Sequence, residues 1–258
     1  MKVIDTLNPD DFYDYILVVI RRNQISELLP VLAKNKSPNV VFMGNNLAGP
    51  DEYTNALGKD RVMMGFVFAG GKREGNVIKA IVSRSIAVPF GEIDGAITPR
   101  LTRLLAILRQ GGFKAKASSC IIDFLMSHGV GVPLFAKLTI KHGYETRALA
   151  KSTADLKLLA DAMRESFSAL RALGYRIVPM SLYLVKTLPR FVLVAGLRML
   201  FSSKLGEVGG GYHVSQAPDE MNYLAQELEA LVEKSGLPAP AIRKVLSIEQ
   251  SSTDLHRS

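Results

Sequence analysis

The sequence has 258 residues, a single cysteine and a net charge of +8. This length suits one large domain or two modest ones and is enough to bury a core. Cys120 alone excludes an internal disulfide, which fits a reducing compartment. Lys and Arg are scattered without a run of five, and no zinc-ligand spacing or RNA-binding aromatic motif occurs. The charge therefore indicates a basic surface or a phosphate-bearing ligand, and we expect no nucleic-acid interface.

The N-terminal residues do not resemble a targeting segment, and the most apolar region does not resemble a membrane span. The polar, acidic residues 1–11 are unlike a signal or transit peptide, so we expect a cytoplasmic protein. The most apolar region, residues 180–205, is interrupted by Lys186, Pro189, Arg190 and Arg198. A spanning helix needs about 20 apolar residues, so this region predicts a buried helix. Peripheral membrane association through it is the weakest of the alternatives.

The first half of the sequence alternates buried strands with an amphipathic segment. Residues 15–20 and 39–43 are continuous apolar runs, typical of strands buried on both faces. Residues 24–33 between them carry apolar side chains at helical spacing. A strand, a helix and a strand joined by short connections predict a βαβ unit with parallel strands.

Further strand, turn and helix signals extend to residue 112. Strands are predicted at residues 61–68, 76–82 and 86–90, the last two in antiparallel hairpins. Turn or loop signals are Gly70-Gly71, Glu74-Gly75-Asn76 and residues 91–95. Thr98 before Pro99 predicts a helix start, with Leu101, Leu104, Leu105 and Leu108 on its apolar face and Gly111 at its end.

From about Cys120 the apolar period becomes helical. Ser152 to Asp155 resembles a capping box, and an apolar stripe follows it to Gly174. Further helices are predicted over residues 179–203, from Pro218 to Gly236, and after Pro240, with a loop at residues 209–211.

Several short motifs, in their order and spacing, resemble the ketopantoate reductase family, the NADP-dependent 2-dehydropantoate 2-reductases. They are YILVVIRRNQ at residues 15–24, FMGNNLAG at 42–49, REGN at 73–76, FGEIDG at 90–95, and Asp219-Glu220 before the Ser235-Gly236 turn. The resemblance extends over residues 10–246.

The resemblance implies an α/β fold with a partial Rossmann-like sheet, doubly wound and mostly parallel. An all-α domain of the 6-phosphogluconate dehydrogenase C-terminal type follows. The resemblance predicts an incomplete dinucleotide-binding domain at residues 1–118, a helical domain that closes over substrate at 119–248, and a disordered tail at 249–258. The family's first βαβ segment, with its G-x-G-x-x-G turn, has no counterpart here, so the resemblance implies an N-terminally truncated member.

By resemblance, the activity is NADPH-dependent reduction of a 2-oxo acid of the 2-dehydropantoate type to a 2-hydroxy acid. The implied cofactor is NADP, bound by Arg21 at the 2′-phosphate and by Asn45. The implied catalytic residues are Asn46 and Glu220, with either Asn45 or Asn46 lying between cofactor and substrate. No metal site is expected.

Two departures from the family pattern favour an alternative function. The glycine-rich loop is absent, and Met126 and Val130 align with the family's proton-donating Lys and its neighbouring Asn. Lys137 and His128 are weak substitutes, so the proton donor stays unassigned. The alternative is a non-catalytic pseudoenzyme or interaction module on the same scaffold.

The missing first strand would lie beside residues 15–20, which would leave that strand as an apolar edge. We therefore expect that the chain pairs there with itself, as a homodimer, or with a partner, or that it is a marginal fragment. A start codon placed too far downstream is a third explanation.

Overall fold

The computed structural model describes residues 3–66, 69–74, 77–82, 87–207 and 213–248. Its contacts divide the chain into two compact units. The sheet unit is Met1–Phe68 with Ser83–Leu125, and the helical unit is Ala69–Val82 with Met126–Ser258. The boundary predicted between residues 118 and 119 stays a prediction. The predicted turn at Gly75-Asn76, the loop at residues 209–211 and the tail at 249–258 lie outside the described residues.

Strands and helices are numbered in chain order over the described residues. The strands are β1 (Ile16–Val18), β2 (Val40–Met43), β3 (Val62–Gly65), β4 (Ala69–Glu74), β5 (Val77–Val82), β6 (Val88–Glu92) and β7 (Ala115–Ala117). The helices are α1 (Ile25–Lys34), α2 (Asp51–Leu57), α3 (Pro99–Gln110), α4 (Ile121–Gly129), α5 (Gly131–Lys141), α6 (Thr146–Lys151), α7 (Thr153–Ala172), α8 (Leu184–Thr187), α9 (Arg190–Ser202), α10 (Lys204–Gly206), α11 (His213–Gln216), α12 (Pro218–Ser235) and α13 (Pro240–Leu246). Short 3-10 turns are Arg22–Gln24, Lys59–Arg61 and Met180–Tyr183.

The sheet unit contains a mostly parallel sheet in the order β1-β2-β3-β6-β7. The pairs β1–β2, β2–β3 and β6–β7 are parallel, and β3–β6 is antiparallel. The predicted βαβ unit is confirmed as β1, α1 and β2. Since β1 pairs on one side only, it is an edge strand of the described sheet, as the sequence predicts.

Helices cover both faces of this sheet. Successive strand residues point to opposite faces, so adjacent apolar residues enter different cores. On one face, α1, α2 and the first turns of α4 pack on Val18, Val40, Phe42 and Met64. On the other, the predicted leucine face of α3 packs on Val41, Met63 and Phe90. Two helical layers around a mostly parallel sheet are the doubly wound arrangement that the family resemblance implies.

Three details of strand prediction are wrong. Gly70-Gly71 lies inside β4, because pairing with Ile81 and Ala80 of β5 overrides the turn tendency of glycine. Gly91 and Glu92 belong to β6 and not to a loop. The short β7 has too few apolar residues to signal a strand, and it forms because its backbone pairs with β6.

The helical unit is built around α7, in which ten of twenty residues are buried. Ser152 caps α7 by accepting a hydrogen bond from the Asp155 backbone, as predicted. Helices α5, α9, α12 and α13 contact α7, and α5 also packs on α12. Ala136 and Ile140 of α5 meet Met221 and Leu224 of α12 in one apolar cluster. The β4–β5 hairpin groups with these helices.

Among the described residues, Ile121–Lys141, which spans α4 and α5, is long and apolar enough to cross a membrane by length and composition. Its 18-residue apolar segment has a mean hydropathy of 1.4, and 61% of that segment is buried inside the protein. That degree of burial is also found in core helices, so the stretch is weak evidence for a membrane span.

Candidate functional site

The loops that follow β1 and β2 bring the predicted cofactor-binding residues to one edge of the sheet. Parallel pairing of Val18 with Phe42 places the two carboxyl ends side by side. Arg21 and Asn45 follow these ends, and a Cβ on Gly44 would lie 3.8 Å from the Ile20 carbonyl oxygen. In open α/β sheets, ligands bind beyond the carboxyl ends of the strands. The edge that carries Arg21 and Asn45 is therefore the candidate site of the sheet unit.

Asn46 is buried and uses its side chain to shape the loop after β2. Its Oδ1 accepts hydrogen bonds from the backbone N–H groups of Ala48 and Gly49, both at 2.9 Å. Its Nδ2 donates to the Gly49 carbonyl oxygen at 2.8 Å. These bonds hold a turn in which Gly49 has a φ of 83°. The catalytic assignment of Asn46 stays a prediction, while its contacts give it a positioning role for the neighbouring Asn45.

Arg22, and not Arg21, is the buried arginine after β1. Its Nη2 lies 2.9 Å from Oε2 of Glu52 in α2, and its guanidinium lies 5.6 Å from the centre of the Tyr53 ring. Tyr53 in turn stacks on Phe42 at 4.0 Å. The sequence carries no signal for this pair, because adjacent arginines look alike and Glu52 is thirty residues from Arg22. Burying Arg22 fixes the backbone from which the half-buried Arg21 projects.

A buried carboxylate, Glu92, lies at the opposite end of the strands from this site. Antiparallel pairing places it beside Met63, near the start of β3. Arg100 Nε donates to Glu92 Oε1 at 2.8 Å, and the Thr98 hydroxyl donates to the same oxygen. The hydrogen bond to Glu92 raises the pKa of the Arg100 guanidinium. Glu92 thus joins β6 to the start of α3, away from the candidate site.

In the helical unit, Glu220 lies in the first turn of α12, where Pro218 occupies the first position. The side chain is only 4% exposed, although carboxylates are rarely buried. The positive end of the helix dipole favours a carboxylate at this position. The next residue, Met221, packs against α5 and fixes the rotation of α12. The structure thus holds Glu220 on a rigid element, and its catalytic role stays a prediction.

The positions that align with the family's proton donor are apolar and buried. Met126 of α4 and Val130, which links α4 to α5, are 2% and 0% exposed. Neither can transfer a proton. The partly exposed His128 and Lys137 stay candidate donors. Within the described ranges, no group of three or more His, Cys, Asp or Glu is arranged to hold a metal ion.

No family model and no curated protein sequence matches the chain. Solved structures do match. A D-mandelate dehydrogenase with NADH and anilino(oxo)acetate has a TM-score of 0.74 and 15% identity, and the match covers 93% of this chain and 76% of that one. A 2-dehydropantoate 2-reductase from Geobacter metallireducens GS-15 has a TM-score of 0.70 and 15% identity, with 91% and 76% covered. A ketopantoate reductase from Ralstonia eutropha JMP134 has a TM-score of 0.71 and 13% identity, with 90% and 73% covered.

Identities this low establish the fold alone. Each match covers nine-tenths or more of this chain and about three quarters of the solved one. It includes the mostly parallel sheet and the helices that follow it. The chain therefore has the ketopantoate reductase fold, as the order of its sequence motifs predicts.

Proposed function

We propose that the chain is a nicotinamide-dependent reductase of 2-oxo acids, related to the ketopantoate reductases. One observation carries the proposal: Arg21 and Asn45 follow the carboxyl ends of adjacent parallel strands, in a fold shared with a dehydrogenase solved with NADH. Nucleotide ligands bind at such strand ends in open α/β sheets.

The residues at this edge fit a dinucleotide. Arg21 supplies a cation for a phosphate, and arginine pairs with phosphate through two parallel hydrogen bonds. Asn45 supplies an amide that both donates and accepts hydrogen bonds. When bound, the nicotinamide supplies the hydride for carbonyl reduction. In this proposal NADP is the preferred form, because Arg21 binds its additional 2′-phosphate.

The chain's own residues have separate tasks in the proposed reaction. Arg21 binds the cofactor phosphate, Asn45 orients the groups that react, and Asn46 holds the loop that carries Asn45. Glu220 binds and orients the 2-oxo acid. The proton for the new hydroxyl comes from a donor that we leave unassigned.

The test is a titration of the full chain with NADPH and NADH, followed by fluorescence and calorimetry. We expect NADPH to bind more tightly than NADH. Arg21→Gln should weaken NADPH binding at least about tenfold while affecting NADH little, because one charge-assisted contact is worth about 1.5–3 kcal/mol. Arg243→Gln, an exposed arginine of α13, is the matched control. Absence of binding at millimolar cofactor would refute the proposal.

A second candidate function is a non-catalytic binding module on the same scaffold. The buried Met126 and Val130 favour it, since they occupy the positions where the family's Lys and Asn are expected. A panel of 2-oxo acids with NADPH separates the two candidates. Turnover that is lost in Glu220→Gln supports the reductase. Cofactor binding without turnover of any acid in the panel supports the module.

A further inference from the structure

A concave surface in the helical unit gathers positive charge between α6 and α9. It has a volume of about 490 Å³ and is lined by Arg147, Ala150, Lys151, Arg198 and Ser202. Small-molecule sites commonly have volumes of about 300–1,000 Å³. Its three cationic side chains are exposed, so the concavity opens to solvent. We refer to it below as the α6–α9 cavity.

The cations of the α6–α9 cavity have no acidic partner among the described residues. No ion pair or hydrogen bond of the Arg147 or Lys151 side chain occurs in that part of the chain. These two residues are four apart on α6, a spacing at which like charges repel. Arg198 of α9 adds a third positive charge to the same space. A bound anion would relieve this repulsion.

Arg198 is held in place and keeps donors for a ligand. Its Nε donates to the Ala150 carbonyl oxygen at 3.1 Å, and its Nη2 donates to Thr153 Oγ1 at 2.8 Å. A guanidinium has five N–H donors, so these two bonds leave three. The Ser202 hydroxyl, also on the cavity wall, makes no hydrogen bond within the described residues. The cavity therefore offers a fixed guanidinium, two further cations and a hydroxyl.

The geometry points to a binding site for a phosphate-bearing ligand in the α6–α9 cavity. A phosphate monoester carries about −1.5 to −2 charges near neutral pH, so it matches three cations better than a carboxylate does. Its oxygens can accept hydrogen bonds from arginine, lysine and serine together. The site belongs to the helical unit, so it is independent of the proposed cofactor edge, and its failure would leave the reductase proposal intact.

Two sources of the phosphate are compatible with the surroundings. One is a free phosphorylated molecule of a size that the cavity admits. The other is a phospholipid headgroup, because Phe191 and Met199, both 75% exposed, lie on the same helix, α9, as the cavity-lining Arg198. Basic side chains next to exposed apolar ones are typical of surfaces that bind anionic lipids.

The experiment compares the full chain with the double variant Arg147→Gln/Lys151→Gln. The matched control is Lys234→Gln/Lys244→Gln, which removes the same charge from exposed positions of α12 and α13. Neither pair makes a side-chain bond within the described residues, so both variants are expected to fold. One arm titrates inorganic phosphate by calorimetry. The other measures sedimentation with vesicles of phosphatidylcholine, with and without phosphatidylglycerol.

We expect either saturable binding of inorganic phosphate or sedimentation of the protein only with vesicles that contain phosphatidylglycerol. In either case, binding by the Arg147/Lys151 variant should be at least about tenfold weaker than binding by the control variant. Binding of phosphate without vesicles identifies a soluble ligand, and vesicle binding identifies a headgroup. Absence of both, or an equal loss in the two double variants, would overturn the inference. NADPH titration of the Arg147/Lys151 variant is expected to match the parent, which separates this site from the proposed cofactor site.

Discussion

At the residue scale, the glycine at position 91 of the FGEIDG motif has a steric cause. A Cβ on Gly91 of β6 would lie 2.4 Å from the Ser118 carbonyl oxygen and 2.9 Å from Ile121 Cβ. The Ser118 N–H donates to the Phe90 carbonyl oxygen at 2.8 Å, so this backbone is held against β6 and only glycine fits at position 91. The FGEIDG motif therefore contributes to the packing of β6 against the segment after β7, and not to the candidate site.

Replacing Gly91 with alanine should destabilise the sheet unit. We expect Gly91→Ala to lower the free energy of unfolding by about 1–3 kcal/mol, the usual cost of overpacking. Gly196→Ala is the control, because no atom lies within 4 Å of the Cβ that it adds. Gly196 lies in α9, so this change should stabilise the protein by up to about 1 kcal/mol through the higher helix propensity of alanine. Urea unfolding measures both variants. Equal stability of the two would contradict the steric explanation.

Asn46 and Asn45 should differ in what they control. Asn46→Ala removes the acceptor for the Ala48 and Gly49 amides, so we expect faster hydrogen exchange at both. Asn45→Ala should leave that exchange unchanged and weaken cofactor binding. Amide exchange by nuclear magnetic resonance, with NADPH titration of each variant, makes the comparison. Slow exchange retained in Asn46→Ala would show that the turn does not depend on this side chain.

At the element scale, the start of α7 is joined to the end of α5 through a buried carboxylate. Burial alone would raise the pKa of Asp155, but hydrogen bonds from Lys141, His142 and Ser152 outweigh it and hold the pKa below its ordinary value. A carboxyl group with a lowered pKa stabilises the folded state above its unfolded pKa. That contribution is lost as the pH falls through the folded pKa.

We therefore expect Asp155→Asn to reduce stability near neutral pH, and the difference from the parent to shrink in acid below about pH 4. Glu233→Gln removes a carboxylate from an exposed position of α12 and should change stability little at any pH. Urea unfolding across a pH series tests this. A deficit of Asp155→Asn that stays constant down to pH 2 would show that the charge is not responsible.

The elements that sequence analysis located correctly are those with a strong local signal. The α3 cap at Thr98, the α7 cap at Ser152 and the parallel pair β1–β2 follow from side-chain capping and apolar periodicity. The β4 and β7 strands could not be found in this way, because each depends on a partner strand and not on its own residues. The Arg22–Glu52 ion pair could not be predicted either, because it depends on contact between residues far apart in sequence.

At the scale of the whole molecule, β1 leaves an apolar edge on the described sheet. Leu17 and Val19 are 43% and 63% exposed, although Leu17 lies in register with the fully buried Val41. Exposed apolar edge strands pair readily with other chains. We therefore propose that the chain self-associates through this edge.

Leu17→Lys should shift the chain toward monomer, since a charge on an edge strand opposes pairing. Ile107→Lys is the control, because Ile107 is an apolar residue of similar exposure, 47%, on helix α3. Sedimentation velocity over a range of concentrations gives the association state. A parent chain that is monomeric throughout, or an equal effect of both variants, would exclude association through β1.

The sequence by itself determined the class of fold, because apolar periodicity and capping residues are local properties of the chain. It also determined which residues follow the carboxyl ends of β1 and β2. Only the tertiary structure decided that Arg22 is buried and Arg21 is not, that Asn46 closes its own loop, and that Met126 and Val130 lie in the core. It alone brought Arg147, Lys151 and Arg198 to one cavity. Burial, side-chain pairing and convergence of charge depend on contacts between segments far apart in sequence, and periodicity carries no information about such contacts.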